Sequence, residues 1–207
     1  VQYRESDATA IEGDVWYNAS TGKLRMYAAA GSWATGGAVN DARFAMASAG
    51  TQTAAVIAGG GVAPLRAKCE EYNGSSWTEV NELDSPKYSV CGGVTGTQTA
   101  ALCIGGAPSP GVDVQIYDGT NWTAAAANMN TAKYSGAGFG TTTAALATGG
   151  EVTATIEEAE TFDGSSWTEV SDLNAERAYL SGFGTTAAGI AVGGFNPPNA
   201  TLLGNTE

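Results

Sequence analysis

Short stretches of small apolar residues recur along the chain, separated by turns rich in Gly, Asn, Asp, Ser and Thr. The stretch 143–150 (TAALATGG) is mostly small and apolar, which is typical of a strand buried on both faces and crowded near an axis. No segment has apolar positions at the helical period over about ten residues or more. The pattern therefore predicts an all-β protein made of short strands.

The third repeat of the pattern shows four predicted strands most clearly. Strand a covers about 133–139, strand b 143–150, strand c 157–162 and strand d 165–170. An Asn-Gly or Asp-Gly pair between strands c and d predicts a hairpin, because such a turn needs a positive φ at its centre. The pairs are Asn73-Gly74, Asp118-Gly119 and Asp163-Gly164.

Several residue types recur with one period of about 45 residues, which indicates a repeat protein. The tryptophans are Trp33, Trp77, Trp122 and Trp167, and Tyr72, Tyr117 and Phe162 stand five residues before the last three. The glycine pairs begin at Gly59, Gly105, Gly149 and Gly193. The basic residues are Arg43, Lys87, Lys133 and Arg177, with an aromatic residue following at Phe44, Tyr88, Tyr134 and, one place later, Tyr179.

A four-stranded unit repeated at this spacing is typical of a β-propeller blade. We therefore predict a propeller of four-stranded antiparallel blades, with repeats at about 38–82, 83–128, 129–172 and an incomplete one at 173–207. Residues 1–37 form a strand-rich segment that we interpret as an incomplete first blade. The sequence begins without Met and ends inside a repeat, so we expect either about five sheets or a fragment of a larger propeller.

The repeat resembles the kelch family. That family has a Gly-Gly pair after an apolar strand, then a Tyr, a Trp, a small apolar residue and a basic residue. Here these elements are Gly105-Gly106, Tyr117, Trp122, Met129 and Lys133. The stretch 128–150 (NMNTAKYSGAGFGTTTAALATGG) is more closely similar to the Ala/Thr/Gly-rich kelch-like arrays of marine bacteriophage and environmental viral proteins. The resemblance implies a virion or tail-associated protein.

The segment 13–33 (GDVWYNASTGKLRMYAAAGSW) fits the repeat loosely. It can be aligned with strands b, c and d, with Tyr27 and Trp33 in the Tyr and Trp places. It also resembles short hairpin segments of phage fibre proteins. Both alignments predict a strand-rich start.

The charge of the chain disfavours several classes of partner. The net charge is −12, with 9 basic and 21 acidic residues, so a phosphate backbone or an anionic membrane surface would be repelled. No apolar run approaches the roughly 18 residues of a membrane-spanning helix. We expect neither nucleic-acid binding nor membrane insertion.

The sequence contains no histidine, which removes Ser-His-Asp and Cys-His arrangements and the commonest metal ligand. A pair of carboxylates could still support glycoside hydrolysis, but no pair is distinguished by its position. We predict a protein that is not an enzyme and that uses neither a metal nor another cofactor.

Three cysteines, Cys69, Cys91 and Cys103, show no metal-binding spacing. They are interpreted as small buried apolar residues. The alternative is a disulfide between Cys91 on strand a and Cys103 on strand b, across the hairpin.

Residues that repeat are interpreted as structural. The tryptophans are expected to pack between neighbouring blades. The basic residues are expected to contact an acid or amide two places before the strand-c aromatic residue, as in Glu70 with Lys87 and Glu160 with Arg177.

A binding site should instead interrupt the repeat, and the loops between strands b and c do so. These loops cover 61–68, 107–113, 151–157 and 195–201. The candidate binding residues are Arg66, Asp113, Phe195 and Asn196, and the alternative is that the loops are merely tolerant surface segments.

Together these features predict a non-catalytic structural or binding module, in a virion or extracellular, that mediates assembly or surface recognition. Its expected partner is a protein or a cell-surface glycan, and it can form homo-oligomers within a larger assembly. The alternatives are a cytoplasmic kelch-type scaffold for protein interactions and a carbohydrate-active enzyme.

Overall fold

The computed structural model describes residues 2–4, 15–18, 20, 23–26, 35–61, 67–91, 94–108, 111–196 and 201–207. Every regular element within these ranges is a β-strand, which confirms the all-β prediction. Nowhere in these ranges is there a helix of the length and apolarity needed to cross a membrane. The chain divides into two units, residues 1–36 and 37–207.

The first unit contains a three-stranded sheet. Its strands are β1 (Gln2–Arg4), β2 (Val15–Asn18) and β3 (Lys23–Met26). Strands β2 and β3 form an antiparallel hairpin, whereas β1 runs parallel to β2. Tyr27 and Trp33, which the sequence aligns with the Tyr and Trp of the repeat, lie outside the described residues.

Each of the next three repeats contains four strands, and each strand from b to d is antiparallel to the one before it. The first repeat has β4 (Ala47–Thr51), β5 (Ala54–Ala58), β6 (Cys69–Tyr72) and β7 (Trp77–Val80). The second has β8 (Val94–Thr97), β9 (Ala100–Ile104), β10 (Val114–Tyr117) and β11 (Trp122–Ala124). The third has β12 (Ala137–Thr141), β13 (Ala144–Thr148), β14 (Ala159–Phe162) and β15 (Trp167–Val170).

The first strands of successive repeats lie side by side, in the order β4, β8 and β12. Strands β8 and β12 are hydrogen-bonded in parallel, with Phe139 opposite Val94, so the second and third repeats share one eight-stranded sheet. The sequence predicted separate antiparallel sheets. The parallel pair forms because these two inner strands, which run in the same direction, approach within hydrogen-bonding distance.

The fourth repeat contains the hairpin of β16 (Ser181–Thr185) and β17 (Ala188–Val192), followed by β18 (Phe195–Asn196) and β19 (Thr201–Leu202). Strand β16 lies beside β12. Residues 205–207 return to β17, where Ala191 and Glu207 exchange two backbone hydrogen bonds of 2.8 and 2.9 Å. Glu207 therefore occupies the position that Glu160 has at the start of strand c in the third repeat.

The hairpins between strands c and d are present, but each turn has four residues rather than two. In the third repeat, Phe162 pairs with Trp167, and Asp163 accepts backbone hydrogen bonds from Ser165 and Ser166 at 2.8 and 2.7 Å. Gly164 supplies the positive φ of 95°. These two amide donors hold the pKa of Asp163 well below its usual value. The side chain thus caps the turn.

One residue in each repeat has a left-handed backbone and links that repeat to its neighbour. These residues are Ala45, Ser89, Ser135 and Tyr179, with φ between 49° and 56°. The amide of each of the last three donates to the carbonyl of the preceding one, at 2.8, 2.6 and 2.7 Å. We call this series of hydrogen bonds the ladder. It fixes the spacing of the repeats independently of side chains.

The repeating basic residues contact acidic side chains, as predicted, but their partners differ from the predicted ones. Glu70 binds Arg43 rather than Lys87, and Glu160 binds Lys133 rather than Arg177. Strands a and c of one meander run in the same direction, so their beginnings lie at the same end of one sheet. The acid of strand c therefore meets the base of its own repeat.

An asparagine completes each of these acid–base contacts. Asn130 donates both its backbone and its side-chain amide to Glu160, at 2.6 and 3.0 Å. Asn40 does the same to Glu70, and Asn174 to Glu207, which also pairs with Arg177. Each buried carboxylate thus has donors for both oxygens, as a buried charge requires.

Tryptophans of strand d pack between the sheets of neighbouring repeats, as predicted. Trp122 is 6% exposed, stacks on Tyr117 at a ring-centroid distance of 4.9 Å and joins Ala49 and Val56 of the first repeat in one buried cluster. Trp167 is buried likewise between the second and third repeats. Where the third repeat meets the β16–β17 hairpin, a cavity of about 210 Å³ lies at the position that a tryptophan has in the other two junctions. Its lining residues include Phe139, Leu146, Thr148, Gly189 and Ala191.

The three cysteines are free and buried, which agrees with their interpretation as small apolar residues. The alternative disulfide between Cys91 and Cys103 is wrong. Cys91 stands opposite Ile104, not Cys103, and the two cysteines belong to different buried clusters. A register offset of one residue turns the side chains to opposite faces.

Candidate functional site

One edge of the repeat array brings the starts of strands a next to the loops between strands b and c. Backbone bridges join Phe44 to Gly61, Tyr88 to Ala107, Tyr134 to Glu151 and Ala178 to Phe195. On this edge Phe44, Tyr88 and Tyr134 each directly precede a ladder residue in the sequence, and Tyr179 is itself a ladder residue. We call Phe44, Tyr88, Tyr134 and Tyr179 the aromatic rim.

Two members of the aromatic rim are strongly exposed. Phe44 is 63% and Tyr179 is 62% exposed, whereas Tyr88 and Tyr134 are partly buried. In the fourth repeat Ala178 takes the bridging position, and Tyr179 is shifted into the left-handed ladder position with φ 56°. A tyrosine in this conformation is strained by roughly 1 kcal/mol or more, yet its ring contributes little to the core.

A carboxylate lies among the tyrosines of the aromatic rim. The Tyr179 hydroxyl donates to Glu151 Oε2 at 3.4 Å. Burial and the neighbouring Glu151 carboxylate raise the pKa of Tyr134, and Tyr179 and Tyr88 are close enough to add to the effect. The rim therefore combines aromatic faces with hydroxyl donors and one acceptor. This is a composition suited to recognition rather than to nucleophilic chemistry.

The second repeat departs from the buried ion pair of the others, because Gln115 stands where they have glutamate. The amide of Asp84 donates to Gln115 Oε1 at 3.1 Å. Lys87 Nζ instead binds Asp113 Oδ2 at 2.7 Å and donates to the Gly105 carbonyl at 3.2 Å. The Lys87 side chain is 7% exposed and that of Asp113 is 46% exposed, so this pair reaches solvent.

A cleft of about 330 Å³ opens beside the Lys87–Asp113 pair. Two prolines and three small residues line it together with the ion pair. The lining residues are Ser85, Pro86, Lys87, Gly106, Ala107, Pro108 and Asp113. We call it the second-repeat cleft.

The predicted binding residues are not gathered into one site. Asp113 lines the second-repeat cleft. Phe195 and Asn196 lie in the fourth repeat, where Phe195 pairs with Ala178 in the backbone and the buried Asn196 donates its side-chain amide to Glu176 at 3.1 Å. Arg66 lies outside the described residues.

The sequence contains the signal for the aromatic rim but does not identify it as a surface. The aromatic residue that follows each basic residue is a repeat marker, and residues that repeat are predicted to be structural. In the first three repeats, alternation along the strand separates the two side chains: the basic residue turns into the sheet edge and Phe44, Tyr88 or Tyr134 turns out. Tyr179 follows its basic residue by two places and is exposed because it occupies the left-handed ladder position instead. The sequence also shows Gln115 in place of the glutamate of the other repeats, but only the fold shows that Lys87 pairs with Asp113 instead.

The thiols are unsuited to nucleophilic chemistry. Burial raises the pKa of Cys69 and Cys103 to about 12 and that of Cys91 to about 11. Within the described ranges no group of three or more Cys, Asp or Glu side chains could hold a metal ion.

Comparison with known proteins finds no protein-family model that matches the chain and no similar curated sequence.

Proposed function

We propose that the chain is a non-catalytic recognition and assembly module whose repeats are blades of a kelch-type β-propeller. Three features support this proposal: the four-stranded meander in each of three repeats, the adjacent inner strands β4, β8, β12 and β16, and the ladder between them. A tryptophan at the junctions of the first three repeats is the packing that rotated, radially arranged sheets require.

The binding surface of this module is the aromatic rim. The exposure of Phe44 and Tyr179 is the observation that carries the proposal. Large aromatic side chains on a rigid backbone bind with little loss of conformational entropy and are enriched in binding hot spots. Because Tyr179 is held in a strained conformation without being buried, the presence of a tyrosine at this position is better explained by binding than by folding.

The partner that fits best is a protein or a cell-surface glycan, encountered by a virion appendage or an extracellular protein. The net charge of −12 disfavours nucleic acid and anionic lipid. Tyrosine rings can stack on the C–H faces of sugars or on apolar side chains, and Glu151 can accept hydrogen bonds from hydroxyl or amide groups.

The experiment compares binding of the purified chain to intact bacterial cells and to an immobilised glycan panel. Tyr179→Ser and Phe44→Ser should each reduce retention by about tenfold, the loss expected for one aromatic hot-spot contact. Val170→Ser is the matched control, because Val170 is also an exposed apolar residue (37%) but lies on an outer strand. Equal retention of all four proteins would contradict the role of the rim.

Two further measurements separate the alternatives. Immunogold labelling of the chain in purified particles supports the virion assignment, and labelling confined to the cytoplasm supports the intracellular scaffold. Turnover of a panel glycan that Glu151→Gln abolishes would establish the carbohydrate-active enzyme instead.

A further inference from the structure

The second-repeat cleft differs from the equivalent position of every other repeat in how it uses its basic residue. Lys133 pairs with Glu160, and both side chains are fully buried; Arg177 with Glu207 and Arg43 with Glu70 are also largely buried. In the second repeat the acidic partner stands two residues earlier, at Asp113, which lines the cleft. An ion pair made for stability alone would follow the other three.

We propose that this cleft binds a neutral saccharide through two adjacent hydroxyl groups. Lys87 Nζ and Asp113 Oδ2 are 2.7 Å apart, close to the spacing of the oxygens in a vicinal diol. One hydroxyl donates to Asp113 while its neighbour accepts from Lys87, whose other hydrogen bonds to Asp113 and Gly105 leave one N–H. Hydrogen bonds to charged groups of this kind are the strong ones.

The remaining walls of the cleft suit the carbon framework of a sugar. Pro86, Pro108 and Ala107 present C–H groups beside the ion pair. The volume of about 330 Å³ lies at the lower end of the range for small-molecule sites, about 300–1,000 Å³. A monosaccharide unit or the end of a chain is therefore the appropriate size.

A neutral ligand fits better than a charged one. The Lys87–Asp113 pair carries no net charge, so neither sign is favoured locally. An anionic sugar would meet the exposed Asp113 carboxylate and a chain of net charge −12, whereas a cationic sugar would meet Lys87. A hydroxyl pair satisfies both groups without an uncompensated charge.

The site uses residues distinct from those of the aromatic rim, so the two proposals can fail separately. The test is a titration of the full chain with methyl glucoside, methyl galactoside and methyl mannoside, in which the backbone amide chemical shifts are monitored by NMR. We expect at least one glycoside to give saturable shifts at Gly106, Ala107 and Asp113, with a dissociation constant in the millimolar range. Glucuronate and glucosamine should bind more weakly than that glycoside.

Two variants test the cleft by different routes. Asp113→Asn should weaken binding by about tenfold or more through loss of a charged acceptor. Ser85→Phe should do the same by filling the cleft without touching the ion pair. Thermal melting confirms that each variant is folded before it is titrated.

Matched controls lie elsewhere in the chain. Glu158→Gln changes the residue that stands at the position of Asp113 in the third repeat, and Val170→Ser changes an exposed apolar residue on an outer strand. Both should leave glycoside binding unchanged. The proposal is overturned if no neutral glycoside saturates the wild-type chain, if a charged sugar binds more tightly, or if Asp113→Asn and Ser85→Phe bind like wild type.

Discussion

The backbone amide of Ser135 donates to the carbonyl of Ser89 at 2.6 Å, and both residues have a left-handed backbone, with φ of 56° and 49°. The two residues are equivalent positions of neighbouring repeats. The strained conformation aims the amide of one repeat at the carbonyl of the previous one. The ladder thus holds the repeats at a constant spacing. Because the residues of the aromatic rim lie beside or within the ladder, their backbone positions are fixed as well.

Tyr179→Gly is expected to stabilise the fold while weakening recognition. Glycine adopts the left-handed conformation without strain and keeps the backbone hydrogen bond to Ser135, so the free energy of unfolding should rise by about 0.5–1 kcal/mol. Binding to cells or glycans should fall as for Tyr179→Ser. Urea unfolding measures the first effect. Tyr134→Gly, at a partly buried extended position, should destabilise, and a loss of stability in Tyr179→Gly would contradict the assignment of strain.

Glu160→Gln should destabilise the fold strongly. Removing the carboxylate leaves the fully buried Lys133 without a counter-ion, which costs about 3–5 kcal/mol. Asp113→Asn in the second repeat should cost less, because Asp113 is half exposed and water screens the charge of Lys87. Chemical denaturation of both variants measures the difference. Equal losses would mean that burial does not govern these pairs.

Trp122→Ala should reduce the free energy of unfolding by about 3–5 kcal/mol, as truncation of a large buried aromatic side chain does. The ring fills the junction between the first two repeats and stacks on Tyr117. Trp77→Ala is the control, since Trp77 is only partly buried, and its loss should be clearly smaller. A loss for Trp122→Ala within experimental error would show that the junction does not depend on this ring.

Stability should fall as the pH rises above about 9, in part because of the cysteines. Their ordinary pKa is 9.0, and burial raises the pKa of Cys103 to about 12 in the folded chain. The unfolded chain therefore loses thiol protons that the folded chain keeps, so the stabilisation present below pH 9 is lost as the pH rises toward 12. Cys103→Ala should show a shallower decline in the melting temperature between pH 9 and 11. An unchanged slope would contradict this origin.

The sequence by itself determined the strand content, the approximate positions of the strands in the third repeat and the burial of Trp122. These properties depend on residue type and on a period that is visible in one dimension. In the third repeat β13, β14 and β15 lie within the ranges predicted for strands b, c and d, whereas β12 begins four residues and ends two residues later than the prediction for strand a. The turn at Asp163 depends on local residue types and was therefore also predictable from the sequence, whereas the number of residues in the turn was not.

Only the tertiary structure decided which residues meet. Glu160 pairs with Lys133 because strands a and c run in parallel within one meander, and Cys91 avoids Cys103 because the register is offset by one residue. Both outcomes depend on strand direction and register, which a periodic sequence leaves open. The two candidate surfaces likewise depend on the tertiary structure. The ladder aligns the aromatic residues of four repeats along one edge, and Gln115 leaves Lys87 to a half-exposed partner.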